Sequence, residues 1–184
     1  MLNTMRLRHF KAWRDTGTLA FAPLTLIFGP NSAGKSSLGH WLLALKQTMQ
    51  SSDRHRALHL GDAHSLVELG MFADCLHGHD LSQGLAFDMA WQVKPELLVR
   101  DPLSGQDCKG DSMTLGVRWL ADALGQPQVT SLRYQLQRGQ YEVLTATLSQ
   151  TSKSDQYDLT AAGYTLVRNP GRAWPLDRPS RAVK

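Results

Sequence analysis

Eight consecutive residues carry the most specific chemistry in this 184-residue chain: Gly29-Pro30-Asn31-Ser32-Ala33-Gly34-Lys35-Ser36, which fits G-x-x-x-x-G-K-[ST]. A chance match in a sequence of this composition has a probability on the order of one percent. The pattern has a physical reading. Successive backbone N–H groups from Ala33 to Ser36 form a concave nest for a β-phosphate. A helix starting there adds unpaired N–H donors and a positive dipole end. Gly29 and Gly34 permit backbone angles and a close approach that a Cβ would hinder. Lys35, the catalytic candidate, reaches the β- and γ-phosphates as a point charge. The Ser36 hydroxyl is the expected Mg²⁺ ligand, and Ser37 stands where it can meet the α-phosphate. Pro30, Asn31 and Ser32 complete the loop, whose expected occupant is Mg²⁺ with ATP.

Such a loop needs a strand before it and a helix after it. Leu24-Thr25-Leu26-Ile27-Phe28 is an apolar run bounded by Gly29, which fits the end of a strand spanning 18–28 and buried on both faces. Residues 36–50 place Leu38, Trp41, Leu42 and Leu45 at helical spacing. Ahead of these, residues 5–13 suit an edge or half-buried strand, and Asp15-Thr16-Gly17 is a turn signal. Residues 51–81 read as irregular. From Leu85 the period becomes two: Leu85, Phe87, Met89, Trp91 and Val93, then Met113, Leu115, Val117 and Trp119. Strands over 130–136 and 142–148 follow, joined by the turn Gln137-Arg138-Gly139-Gln140, with a last strand over 157–167. No helical crossover separates these strands, so they predict an antiparallel meander.

Composition fits a globular domain, with 42% hydrophobic and 20% charged residues. No apolar run approaches the roughly 18 residues needed to span a bilayer, and the first residues lack a secretory h-region, so a cytoplasmic protein is expected. Cys75 and Cys108 read as two reduced thiols. The net charge of +4 resides from Thr165 onward, where Arg168, Arg172, Arg178, Arg181 and Lys184 face only Asp177. Residues 1–164 are thus formally neutral, against a uniformly basic nucleic-acid surface. Two units follow: a domain over 1–168, and a basic, Pro-containing tail over 169–184 that reads as a truncation point. Of the histidines, His77-Gly78-His79-Asp80 lacks a second ligand cluster, so His55, His59, His64, His77 and His79 read as polar loop residues.

Phe10-Lys11-Ala12-Trp13, the run 23–28 and the loop from Gly29 to Ser37 together resemble the start of ABC-type ATPase heads. The branch is that of SMC, RecF and the overcoming-lysogenisation-defect nucleases, which includes AAA-family ATPases of phage-defence systems. The likeness covers about residues 1–50, and Leu69-Gly70-Met71-Phe72-Ala73-Asp74 adds a weaker match. It implies the N-terminal, ATP-binding lobe of an α/β P-loop NTPase, with one strand–P-loop–helix unit and an antiparallel β-meander. It further implies that the rest of the head, or a second head, closes over the nucleotide, and that the complete protein works on nucleic acid. In such heads the turn after the first strand contacts the adenine or ribose, which makes Lys11 and Arg14 candidates. Both also fit solvated strand-end charges. Asn31 matches a residue near the γ-phosphate.

Hydrolysis needs more than the loop. The branch supplies an apolar strand ending in Asp-Glu, and none exists here: Asp88, Asp101 and Asp122 each lack the acidic neighbour. Leu103-Ser104-Gly105-Gln106 imitates the signature segment, but it has Pro102 before it and no amphipathic helix behind it. The sequence therefore leaves an ATPase completed by segments outside this chain, or a nucleotide sensor that binds without hydrolysing. A GTPase or nucleotide kinase is disfavoured, since no Asn-Lys-x-Asp segment and no arginine-rich lid is present.

Overall fold

The computed structural model describes residues 1–53, 56–151 and 156–166. His55 and the tail 169–184 lie outside the described residues. Strands β1 (Leu2–Phe10), β2 (Trp13–Asp15) and β3 (Leu19–Ala20) precede the helix α1 (Lys35–Gln50). A single-turn helix α2 (Phe72–Cys75) and a 3-10 turn at His77–His79 follow. Then come β4 (Leu85–Arg100), β5 (Asp107–Ala121), β6 (Pro127–Arg138), β7 (Tyr141–Gln150) and β8 (Tyr157–Ala162). All eight strands form one sheet in the order β2-β1-β4-β5-β6-β7-β8, with β3 also beside β1. Every pairing is antiparallel.

Alternation decides which face of the sheet is buried. Leu85 opposes Trp119 and Phe87 opposes Val117 across β4 and β5, and all four are buried. Met5 and Leu7 extend this face onto β1, and Leu115 onto β5. Helix α1 covers it with Leu38, Trp41, Ala44 and Leu45. The Trp41 ring meets Phe10 and Phe87 edge-on with centroids 5.3 Å apart in each case, and Trp119 at 5.8 Å. Aromatic pairs at such separations each add about 0.5–1.5 kcal/mol beyond area burial. This cluster holds the middle of α1 against the sheet.

The segment after α1 is irregular, as its composition predicts, yet it is tied down. Buried Gln47 donates from Nε2 to the carbonyls of His59 (2.7 Å) and Val67 (3.1 Å), and its Oε1 accepts from the Val67 amide at 3.1 Å. His59 is itself buried, so it departs from the polar loop role its sequence context gave it.

The expected α/β class is not what forms. Of the strand predicted over 18–28, only Leu19–Ala20 pairs. Leu24, Leu26, Ile27 and Phe28 are 76, 66, 47 and 85% exposed. The reason lies in the edges of the sheet. β1 already has β4 on one side and β2 and β3 on the other, so no slot remains beside it. Pro23 has no N–H with which to prolong β3, and the Ala22 amide turns back to Thr25 Oγ1 at 3.0 Å. An apolar run buried on both faces requires flanking strands, and none stands beside this one among the described residues. The architecture is an antiparallel sheet with one long helix on one face, entered by a loop in place of a strand–loop–helix unit. The meander half of the expectation does form, with β4 through β8 as consecutive neighbours.

A candidate phosphate-binding loop

Gly34 caps α1 in the left-handed region, with φ 84° and ψ 12°. No side chain caps the helix, and its first turn holds no acid. The Ser37 amide bonds Gly34 O at 3.0 Å, whereas the amides of Gly34, Lys35 and Ser36 donate to no protein acceptor among the described residues. Three consecutive donors thus lie open at the positive end of the helix dipole. The nest predicted for Ala33 to Ser36 is therefore shorter at its start, because Ala33 N reaches back to Pro30 O at 3.4 Å.

Lys35 is the first residue of α1, and its side chain folds back over the loop. Its Nζ donates to the carbonyls of Gly29 (2.8 Å) and Pro30 (2.6 Å). Two of the three ammonium hydrogens are thereby engaged. Ser36, Asn31 and Ser32 are exposed, and Ser37 is half-buried. Ser32 takes a left-handed φ of 64°, which turns the chain in the middle of the loop.

The turn between β1 and β2 holds the loop in place. Trp13 Nε1 donates to Gly34 O at 3.0 Å. A Cβ on Gly34 would fall 2.8 Å from that nitrogen and 2.9 Å from Ala12 Cβ. The glycine is thus required twice, by its φ and by its neighbours. Sequence reasoning placed Phe10-Lys11-Ala12-Trp13 in a strand and missed the contact, since nothing in the pattern marks an indole as a donor to a loop carbonyl.

Lys11 sits in the same turn with φ 48°. Its amide bonds Cys75 O at 2.7 Å, and its carbonyl meets His77 Nδ1 at 3.0 Å. It therefore ties the turn to the α2 segment, beside a buried thiol. Burial pushes Cys75 up to about 11, opposed by the nearby charge of Lys11. Arg14 is exposed on β2. Strand alternation turns it to the face opposite the Trp13 indole that meets the loop.

Other segments singled out by sequence have structural work. His77 and His79 each bond a carbonyl through Nδ1, and no group of three metal-capable side chains occurs among the described residues. Leu103-Ser104-Gly105-Gln106 forms the turn joining β4 and β5, where Asp101 Oδ1 accepts from the amides of Leu103 (2.8 Å) and Ser104 (3.0 Å). Asp88 pairs with Arg8 and Arg133 on the sheet, and Asp122 Oδ1 accepts turn amides from Leu124 and Gln126. Among the described residues, no helix is long and apolar enough to cross a membrane. Comparison with known proteins returns no matching family model and no significantly similar curated protein.

Proposed function

We propose that loop 29–37 binds the phosphates of Mg²⁺-bound ATP, and that the chain is the ATP-binding part of an ABC-type, SMC/RecF-like ATPase. One observation carries this reading. The open amides of Gly34, Lys35 and Ser36 and the Lys35 ammonium converge on a single loop, a donor set suited to a polyphosphate. The residues present fit the metal as well. Ser36 supplies one exposed hydroxyl, and magnesium takes most of its remaining ligands from phosphate oxygens and water. Binding thus needs no second acid, while turnover does. Completion by the rest of a head or by a second head, action on nucleic acid and a cytoplasmic location belong to the same proposal. The exposed run Leu24, Leu26, Ile27 and Phe28 beside the loop favours a covering partner.

A second reading, a sensor that binds ATP without hydrolysing it, is favoured by the engagement of Asp88, Asp101 and Asp122 with arginines or turn amides. Phosphate release from ATP by the purified chain excludes that reading. The test common to both is amide hydrogen exchange. Mg-ATP slows exchange at Gly34, Lys35 and Ser36 if the loop holds phosphate. Unchanged exchange at all three contradicts it.

A further inference from the structure

The sheet face opposite α1 carries its own cationic hollow. In the registered row, Arg8 on β1 opposes Ala86 on β4, and Ala86 opposes Arg118 on β5. The two arginines are therefore two strand spacings apart, about 10 Å, with only a methyl group between them. A cavity of about 360 Å³ opens over this row, walled also by His9 and by Ser82, Gln83 and Gly84. No carboxylate is among its lining residues.

Neither guanidinium is fully used. Arg8 Nη2 bonds Asp88 Oδ2 at 2.6 Å, while its Nε is buried with no hydrogen-bond partner. Arg118 makes no ion pair among the described residues. Its Nη2 reaches only Gln83 O, at a long 3.4 Å, a bond weak enough to yield to a charged acceptor. The rim is fixed. Asp80 Oδ1 holds the Ser82 amide and hydroxyl at 2.9 and 2.6 Å. Gly84 has φ 66°, and a Cβ there would lie 2.3 Å from Trp119 O, so the backbone presses against β5.

We propose that this cavity is a second anion site, separate from loop 29–37, that takes a phosphate group between the guanidiniums of Arg8 and Arg118. Planar guanidinium forks match the oxygen geometry of phosphate, and a lone lysine does not. The small side chain of Ala86 leaves room for the group, and Asp88 orients Arg8. The phosphate comes either from a small phosphorylated molecule or from a nucleic-acid backbone, which share this chemistry.

The test uses the full chain carrying Lys35→Ala, so that loop 29–37 contributes little. Inorganic phosphate and a fluorescent oligothymidylate are titrated separately and in competition, at low and moderate salt. Saturable binding weakened about tenfold by Arg118→Gln, and unaffected by Arg138→Gln at the far end of β6, supports the site. Binding of phosphate alone then assigns a small ligand; displacement of phosphate by the oligonucleotide assigns a phosphodiester backbone. Failure of both probes to saturate, equal loss in the two arginine variants, or an unchanged affinity in Arg118→Gln overturns the proposal.

Discussion

Trp13 Nε1 donates to the carbonyl of Gly34 at 3.0 Å, so the start of β2 holds the residue that caps α1. The contact joins residues 21 apart in sequence. It gives the loop a support on the sheet side, where the expected strand does not form. Replacing Trp13 by Phe keeps most of the ring and removes the donor. Nucleotide affinity is expected to fall roughly 2- to 10-fold, read by titration with a fluorescent ATP analogue, with the melting temperature little changed.

Gly34→Ala is the sharper perturbation of the same joint. The added methyl would sit 2.8 Å from Trp13 Nε1 at a φ of +84°. The backbone strain alone costs about 1–3 kcal/mol. Chemical denaturation should register that loss, and ATP binding should weaken further than in Trp13→Phe.

Trp41 anchors α1 to the sheet through Phe10, Phe87 and Trp119. Trp41→Ala is expected to cost about 3–5 kcal/mol, a large part of the stability of a domain. Urea denaturation followed by far-UV circular dichroism measures it. A loss below about 1 kcal/mol would mean that the helix is held elsewhere.

The element pattern explains why some of this was legible in the sequence and some was not. Helix 36–50 and the strands from Leu85 onward were readable because their periods of 3.6 and 2 reflect burial on one face. The observed α1 begins at Lys35, and β4 to β8 fall on the expected runs. The run Leu24–Phe28 was misread for the converse reason: a continuous apolar stretch carries no period, and its state depends on neighbours that local sequence does not contain. Spacing alone singles out loop 29–37 as the candidate site, and phosphate binding there stands as the proposal. The support of the loop by Trp13 and Ala12 was not legible, because it is a tertiary contact. The tether from Gln47 to the segment at His59 and Val67 was hidden likewise, since a glutamine on a helix usually reads as solvated.

Asp101 links the β4–β5 turn to the segment after β8. Its carboxylate accepts from the amides of Ser104 and Leu103 in the β4–β5 turn, and from Thr165 N at 2.8 Å. These bonds, that from Ser104 foremost, hold its carboxyl well below the usual carboxylate range. A group depressed in the folded state stabilises the fold above its unfolded value, near pH 4, and that contribution is lost as pH falls. The wild type should therefore lose melting temperature below about pH 4 more steeply than Asp101→Asn, which starts lower at neutral pH. Parallel pH profiles for the two proteins would contradict this role.

Cys75 is buried under the turn that holds the loop, and its thiol is pushed up to about 11 by that burial. The thiolate is the reactive form, so iodoacetamide at pH 8 should leave Cys75 unmodified in the folded protein and alkylate it rapidly in urea. Peptide mass analysis distinguishes the two outcomes. Fast native labelling would mean that the Lys11–Cys75 contact opens readily.

Phosphate binding by loop 29–37 is tested most directly by calorimetric titration of Mg-ATP into the wild type and Lys35→Ala. Saturable binding by the wild type, weakened at least about tenfold by loss of a charge-assisted contact in a variant that melts at the same temperature, is the predicted result. Equal affinity in the two proteins, or no binding by the wild type, would contradict it.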